Sequence, residues 1–243
     1  MGLSAKQQQI REREQQIIRV ARAQVLSEGY HGFGLEAIAV EIGVSRGTLY
    51  NHFSCKEDLI LAVLMESLEL RLGWVQRAAS FRGTSRQRMT AILVAIELFA
   101  RIRTDHYRIE EIVRSGTVWE KANSEKRIAA SHMNGQATGI VAGVVRDAIV
   151  QGDLEFPADV KPEEFVFGVW SLIEGGFSIH SNSGRLWQPM TKQSGRILRL
   201  SAWRLLDGFG WKPLSTGEEF SDQTESILKE LFSAEFRLLK QDW

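Results

Sequence analysis

The tripeptide Gly43-Val44-Ser45 constrains this chain more than any other feature, because it separates two short apolar stripes of helical spacing. Leu35, Ile38, Ala39 and Ile42 share one face of the segment before it, and Leu49 and Phe53, four apart, share one face of the segment after it. Gly43 suits the left-handed residue that ends a helix. Val44 can plug the apolar gap between the two segments, and Ser45 can accept from the freed amides of the next helix as its N-cap. A three-residue connection between two helices makes a steep corner, so the segment reads as a helix-turn-helix.

The rest of the chain continues in the same periodicity. Ile17, Ala21 and Val25 form a third stripe upstream, and the three stripes can close a core of about fifty residues. Such a unit is marginal alone, which predicts that it leans on the long helix starting at Lys56. Helices are expected at 8–28, 35–42, 46–52, 56–79, 84–103, 106–116, 124–151, 162–181, 191–208 and 217–240. Loops are expected at 81–84, 154–161, 181–189 and 210–217, where Gly, Pro, Ser and Asn cluster. There are only four prolines and no Asn-Gly or Asp-Gly hairpin signal, so the fold class is all-α. The domains are placed at 1–56 and 57–243.

Composition narrows the function classes. With 44% hydrophobic and 25% charged residues, the chain is globular and not disordered. Thirty basic and thirty acidic residues cancel, so net charge does not point to a nucleic acid, yet Lys6, Arg11, Arg13, Arg19 and Arg22 outnumber Glu12 and Glu14 near the N-terminus. The stretch 45–56 carries Arg46 and Lys56 and no acid. A single cysteine, Cys55, gives neither an internal disulfide nor a zinc cluster. A polar N-terminus and the lack of an apolar run of spanning length lead to the expectation of a cytoplasmic protein without a membrane role.

No enzyme, metal or cofactor is expected. His31, His52, His106, His132 and His180 lack metal spacing, and no phosphate loop or nucleophile elbow occurs. Glu28 and His31 match one Glu-x-x-His, but a di-iron bundle needs two such motifs and two further glutamates.

The exposed side of 46–52 has the chemistry of a major-groove reader. Arg46 can donate a bidentate pair to guanine, Asn51 can pair with adenine, and Thr48 offers a hydroxyl and a methyl. Tyr50 and His52 can donate to phosphates, Gly47 allows close backbone approach, and Lys56 can add a phosphate contact. The run IAVEIGVSRGTLYNHFSCKEDL, from Ile38 to Leu59, together with Ile17-Ile18, Ala21 and Glu28-Gly29-Tyr30, resembles the DNA-binding domain of the TetR family of bacterial regulators.

The resemblance implies an all-helical homodimer. A three-helix helix-turn-helix domain would be followed by a larger ligand-binding and dimerisation domain, and the DNA contacts would fall on Arg46, Gly47, Thr48, Tyr50, Asn51, His52 and Lys56. Two positions depart from the family pattern. Leu35 stands where a capping Thr or Ser is usual, so no phosphate contact is carried to it. Cys55 replaces a small polar cap, leaving Ser54 or the weakly accepting thiol to serve.

The resemblance further implies an effector cavity within 84–151 and a dimer through 162–181 and 191–208. Candidate cavity residues are Glu97, Trp119, His132, Met133, Gln136, Trp170, Glu174 and Phe177: aromatics and Met133 as walls, the others as polar groups within apolar stretches. Gly168, Ser171, Gly175 and Gly176 permit close helix approach, and Leu198, Ala202, Leu205 and Phe209 supply a matching stripe. The partners expected are a double-stranded DNA operator, a small-molecule effector and a second copy. A helical small-molecule binder or a protein-interaction adaptor that keeps the same N-terminal domain is the alternative.

Overall fold

The computed structural model describes residues 4–114, 117–157, 159–186, 194–215 and 219–239. Within them it contains twelve α-helices and no strand: α1 Ala5–Gly32, α2 Leu35–Glu41, α3 Arg46–His52, α4 Lys56–Ala79, α5 Ser85–Ile102, α6 Thr104–Arg114, α7 Thr117–Lys121, α8 Ser124–Gln151, α9 Pro162–Leu186, α10 Ser194–Gly208, α11 Glu219–Leu231 and α12 Ser233–Leu239. None of the described helices is long and apolar enough to cross a membrane.

Two compact units divide the chain. Unit 1 comprises Met1–Leu70 and Asp105–Met133; unit 2 comprises Arg71–Thr104 and Asn134–Trp243. Residue 56 therefore lies inside unit 1, which takes the first part of α4 and also draws on α6, α7 and the start of α8.

In unit 1, α1 begins earlier than its apolar stripe suggests because Ser4 and Gln7 form a reciprocal capping box. Its regular helix stops at Gly29, whose φ of 74° is left-handed. Ile17, Ala21 and Val25 of α1, Leu35, Ile38 and Ala39 of α2, and Leu49 and Phe53 from α3 and its end are buried together. Leu59, Ile60, Val63 and Leu64 of α4 join the same cluster. Each fully buried side chain of this size contributes about 1.5–3 kcal/mol against exposure, so α4 adds apolar contact that α1 and the two seven-residue helices lack by themselves.

In unit 2, α5 starts at a Thr84–Gln87 capping box and is buried on nearly all sides from Met89 to Phe99. That explains its continuous apolar run. Arg86 at its start donates to Asp207 Oδ1 (2.6 Å), Ser215 Oγ (2.7 Å) and the Trp211 carbonyl. Trp74 packs on Phe99 and Phe232, and Arg77 lies 4.1 Å from the Phe232 ring centroid while pairing with Glu235.

Three expectations are corrected. The short α7 interrupts the expected gap after α6, α9 runs on through 181–186, and the single C-terminal helix is two. Phe232, fully buried, separates α11 from α12. Its burial holds the chain at the corner, and Ser233 then opens the next helix. Part of the expected 181–189 loop and of the 210–217 loop lies outside the described residues.

Candidate nucleic-acid interface

The corner between α2 and α3 is closed by backbone hydrogen bonds at both helix ends. Val44 N–H donates to the Ala39 carbonyl (3.0 Å) and Gly43 N–H to that of Val40 (3.2 Å), the two bonds of a Schellman C-cap. Gly43 takes φ 70°, where a side chain would be strained. Ser45 Oγ accepts from Thr48 N–H at 3.1 Å and so caps α3. Leu49 and Phe53 are fully buried, which leaves the opposite side of α3 to solvent.

On that side stand Arg46, Gly47, Tyr50 and Asn51, all exposed, with Thr48 and His52 half-buried. The Thr48 hydroxyl is shared with Ser45 Oγ at 2.8 Å, so its methyl is the freer part. Lys56 is half-buried, donates to the Tyr30 carbonyl (3.2 Å) and sits 4.3 Å from the Tyr30 ring centroid. Tyr30 in turn donates to Glu57 Oε1 at 2.6 Å, and burial first, then Glu57, push its hydroxyl up to about 12. Lys56 is thus fixed to the end of α1.

Leu35 is buried, in keeping with its not being carried as a phosphate contact. The residue sequence reasoning missed is its neighbour Glu36. Its Oε1 accepts from Arg46 Nη2 at 2.6 Å and from the Tyr50 hydroxyl at 3.4 Å, and the Arg46 guanidinium lies 5.4 Å from the Tyr50 ring centroid. An acid in the first turn of α2 was the available signal; the corner angle that brings it to Arg46 was not.

Cys55 is half-buried. Desolvation, the largest influence, raises its thiol above the usual range, against the amides of Asp58 and Glu57 that lower it. A thiol held protonated in this way is a poor nucleophile. Ser54 bonds to Asp58, whose other oxygen accepts from Asn123 N–H at 2.7 Å.

A second polar cluster in unit 1 is built on a histidine whose sequence spacing gives no sign of it. Buried His106 of α6 meets Arg22 Nη1 at 3.0 Å through Nε2 and Ser67 Oγ at 2.9 Å through Nδ1. Arginine only donates, so Nε2 accepts and Nδ1 carries the proton. Helices α1, α4 and α6 are joined by this one imidazole.

The expected cavity residues separate. Glu97 and Phe177 line a small hollow of about 10 Å³ in unit 2, together with Leu93, Ile173, Arg199 and Trp203, room for about one water molecule. Trp170 lines a neighbouring hollow of the same small size that shares Leu93 and Ile173. Glu97 is buried with both Arg199 (2.6 Å) and Arg101 (3.3 Å) on its Oε1; desolvation pushes its carboxyl up in spite of them. Glu174, half-buried, lies outside both linings.

Trp119 and Met133 pack instead against the core of unit 1. His132 and Gln136 are exposed, a correction to their reading as buried polar groups: α8 turns Ala137, Val141, Val144, Val145 and Ala148 inward.

The expected interface residues separate too. Gly168, Ser171 and Gly175 are exposed on α9, beside exposed Phe167 and Ile179. On α10, Leu198 packs over Gly176, where a Cβ would come within 2.6 Å of its Cδ1. Ala202 is buried, and Leu205 is half-buried. Leu198 and Ala202 therefore serve the inside of the chain's own unit 2, and Ile197 is the large apolar residue that α10 exposes.

Fold and corner together define a helix-turn-helix domain. Residues 17–63 match the model of the bacterial regulatory proteins of the tetR family. The chain is 35% identical over 98 residues to the transcriptional activator FasR of Mycolicibacterium smegmatis, an alignment spanning 40% of this chain and 45% of FasR. It is 24% identical over 161 residues to a fatty acid metabolism regulator protein of Bacillus subtilis, covering 66% of this chain and 80% of that one. Its fold matches the TetR family regulator PfmR of Thermus thermophilus with a TM-score of 0.58 at 17% identity, over 79% of this chain and 97% of PfmR. Residues 17–63, which hold the corner, therefore match the tetR family, and the alignment with FasR spans less than half of that protein.

Proposed function

We propose that the chain is a ligand-responsive repressor that binds a pseudo-palindromic operator as a homodimer. Arg46, Thr48 and Asn51 meet base edges, while Gly47, Tyr50, His52 and Lys56 seat the backbone. The observation that carries this reading is the α3 face, where polar groups stand exposed on a helix whose apolar side is fully buried and whose start is capped by Ser45.

The dimer reading draws support from α9, where Phe167 and Ile179 are 73% and 57% exposed on either side of small residues. A two-fold protein suits a two-half-site operator. The effector reading draws support from the chemistry under α5, where apolar side chains end at the Glu97–Arg199 pair around two water-sized hollows, so an amphipathic ligand would have to part this packing to enter. The name of the Bacillus subtilis relative points to an acyl-type body for it. Such a ligand releases DNA only through its differential affinity for two states, and about 1–3 kcal/mol of coupling suffices.

Activation is a second reading of the sign, favoured by the similarity to FasR, a named activator. Mobility shift on DNA upstream of the chain's own gene, with and without long-chain acyl compounds, tests the binding. A reporter behind the same DNA gives the sign. Folded protein that binds without sequence preference contradicts both.

A further inference from the structure

Glu36 is an unexpected group on a DNA-facing surface. It is an acid, 55% exposed, 2.6 Å from the arginine best suited to read guanine. Phosphates repel it, and of the base edges only amino donors would accept it. Stability does not account for it either, because an exposed ion pair contributes about 0–1 kcal/mol.

Geometry gives it a different role. Arg46 and Tyr50 lie four apart on α3, and a single oxygen of Glu36 meets both. The carboxylate also lies in the first turn of α2, where the helix dipole favours it. Arg46 in the free protein is therefore already bound, to an internal acceptor.

We propose that Glu36 is a specificity-determining residue: it competes with DNA phosphate for Arg46 and yields it only to a base pair that offers a better acceptor set. This rests on the operator reading above. Non-specific DNA offers Arg46 single phosphate contacts, which Glu36 matches in kind. Guanine O6 and N7 offer a bidentate pair that matches the planar fork of the guanidinium. The competition lowers both affinities, and lowers the non-specific one more. Glu36 also keeps Arg46 and Tyr50 in one arrangement, so the reader arrives pre-set.

The test compares wild type, Glu36→Gln, Arg46→Ala and the double variant on two duplexes of equal length. One is the sequence that wild type selects from random DNA; the other is of random sequence. Fluorescence anisotropy is read across a salt series. Glu36→Gln should bind the random duplex about three- to ten-fold tighter and the selected one within about two-fold, so discrimination falls. Its salt slope on the random duplex should steepen by roughly one ion per protomer, as Arg46 moves to phosphate. Without Arg46 the same change should leave discrimination unaltered. Equal gains on both duplexes, or discrimination that survives Glu36→Gln, overturn this inference alone. Wild type that selects no sequence overturns the operator reading and this inference with it.

Discussion

Two arginine–carboxylate pairs in this molecule have the same length and opposite settings. Arg46 meets Glu36 at 2.6 Å with side chains 68% and 55% exposed; Arg86 meets Asp207 at 2.6 Å with side chains 6% and 17% exposed. In unit 2 the buried guanidinium also holds the Trp211 carbonyl and Ser215, so it ties the start of α5 to the end of α10 and the segment beyond. On α3 the guanidinium has water on most sides. Separation alone therefore says nothing about role. A buried pair belongs to the architecture, whereas an exposed one on a reading surface is available to a partner.

The largest effect expected from breaking this contrast is in unit 2. Arg86→Ala removes the buried guanidinium that joins Asp207, Ser215 and the Trp211 carbonyl, leaving half-buried Asp207 with Arg204 and Ser215, and should cost about 1.5–3 kcal/mol in denaturant unfolding. Burial alone would raise the Asp207 carboxyl, but Ser215 and Arg86 outweigh it and hold it below its usual value. Its contribution is thus present above the ordinary carboxylate range and lost as pH falls through the depressed value. The acid limb of the stability profile should flatten in Arg86→Ala.

Arg46→Ala should do the reverse. Unfolding should change by no more than about 0.5 kcal/mol, while affinity for the selected duplex drops by about 1–3 kcal/mol per half-site. A loss of stability comparable to that of Arg86→Ala would erase the distinction. Ser45→Ala removes the α3 cap and should cost about 1 kcal/mol in the same unfolding assay. Cys55 should give the smallest effect. With its thiol raised by burial it should react slowly with iodoacetamide at neutral pH, and Cys55→Ser should bind the selected duplex as wild type does.

The reading corner was legible in sequence because everything that builds it is local. Gly43, Ser45, Leu49 and Phe53 lie within eleven residues, and each states its own part: a left-handed end, a cap, a buried face. Partners brought together over distance were not legible. Arg22, Ser67 and His106 come from three helices, and Arg86 finds Asp207 across 121 positions. The inward side of α8 was hidden for another reason: small residues occur around the whole helix, so no stripe marked His132 and Gln136 as exposed. The turn at Phe232 carries neither Gly nor Pro and reads as uninterrupted amphipathic helix.

Selection of bound duplexes from random DNA by the intact protein tests the central claim most directly. The account predicts one enriched half-site repeated with two-fold symmetry, at a centre-to-centre spacing of about one helical turn or a multiple of it, and a half-site relaxed at the base pair read by Arg46 when Arg46→Ala makes the selection. Folded wild-type protein that enriches no sequence, or the same sequence enriched equally by Arg46→Ala, would contradict it.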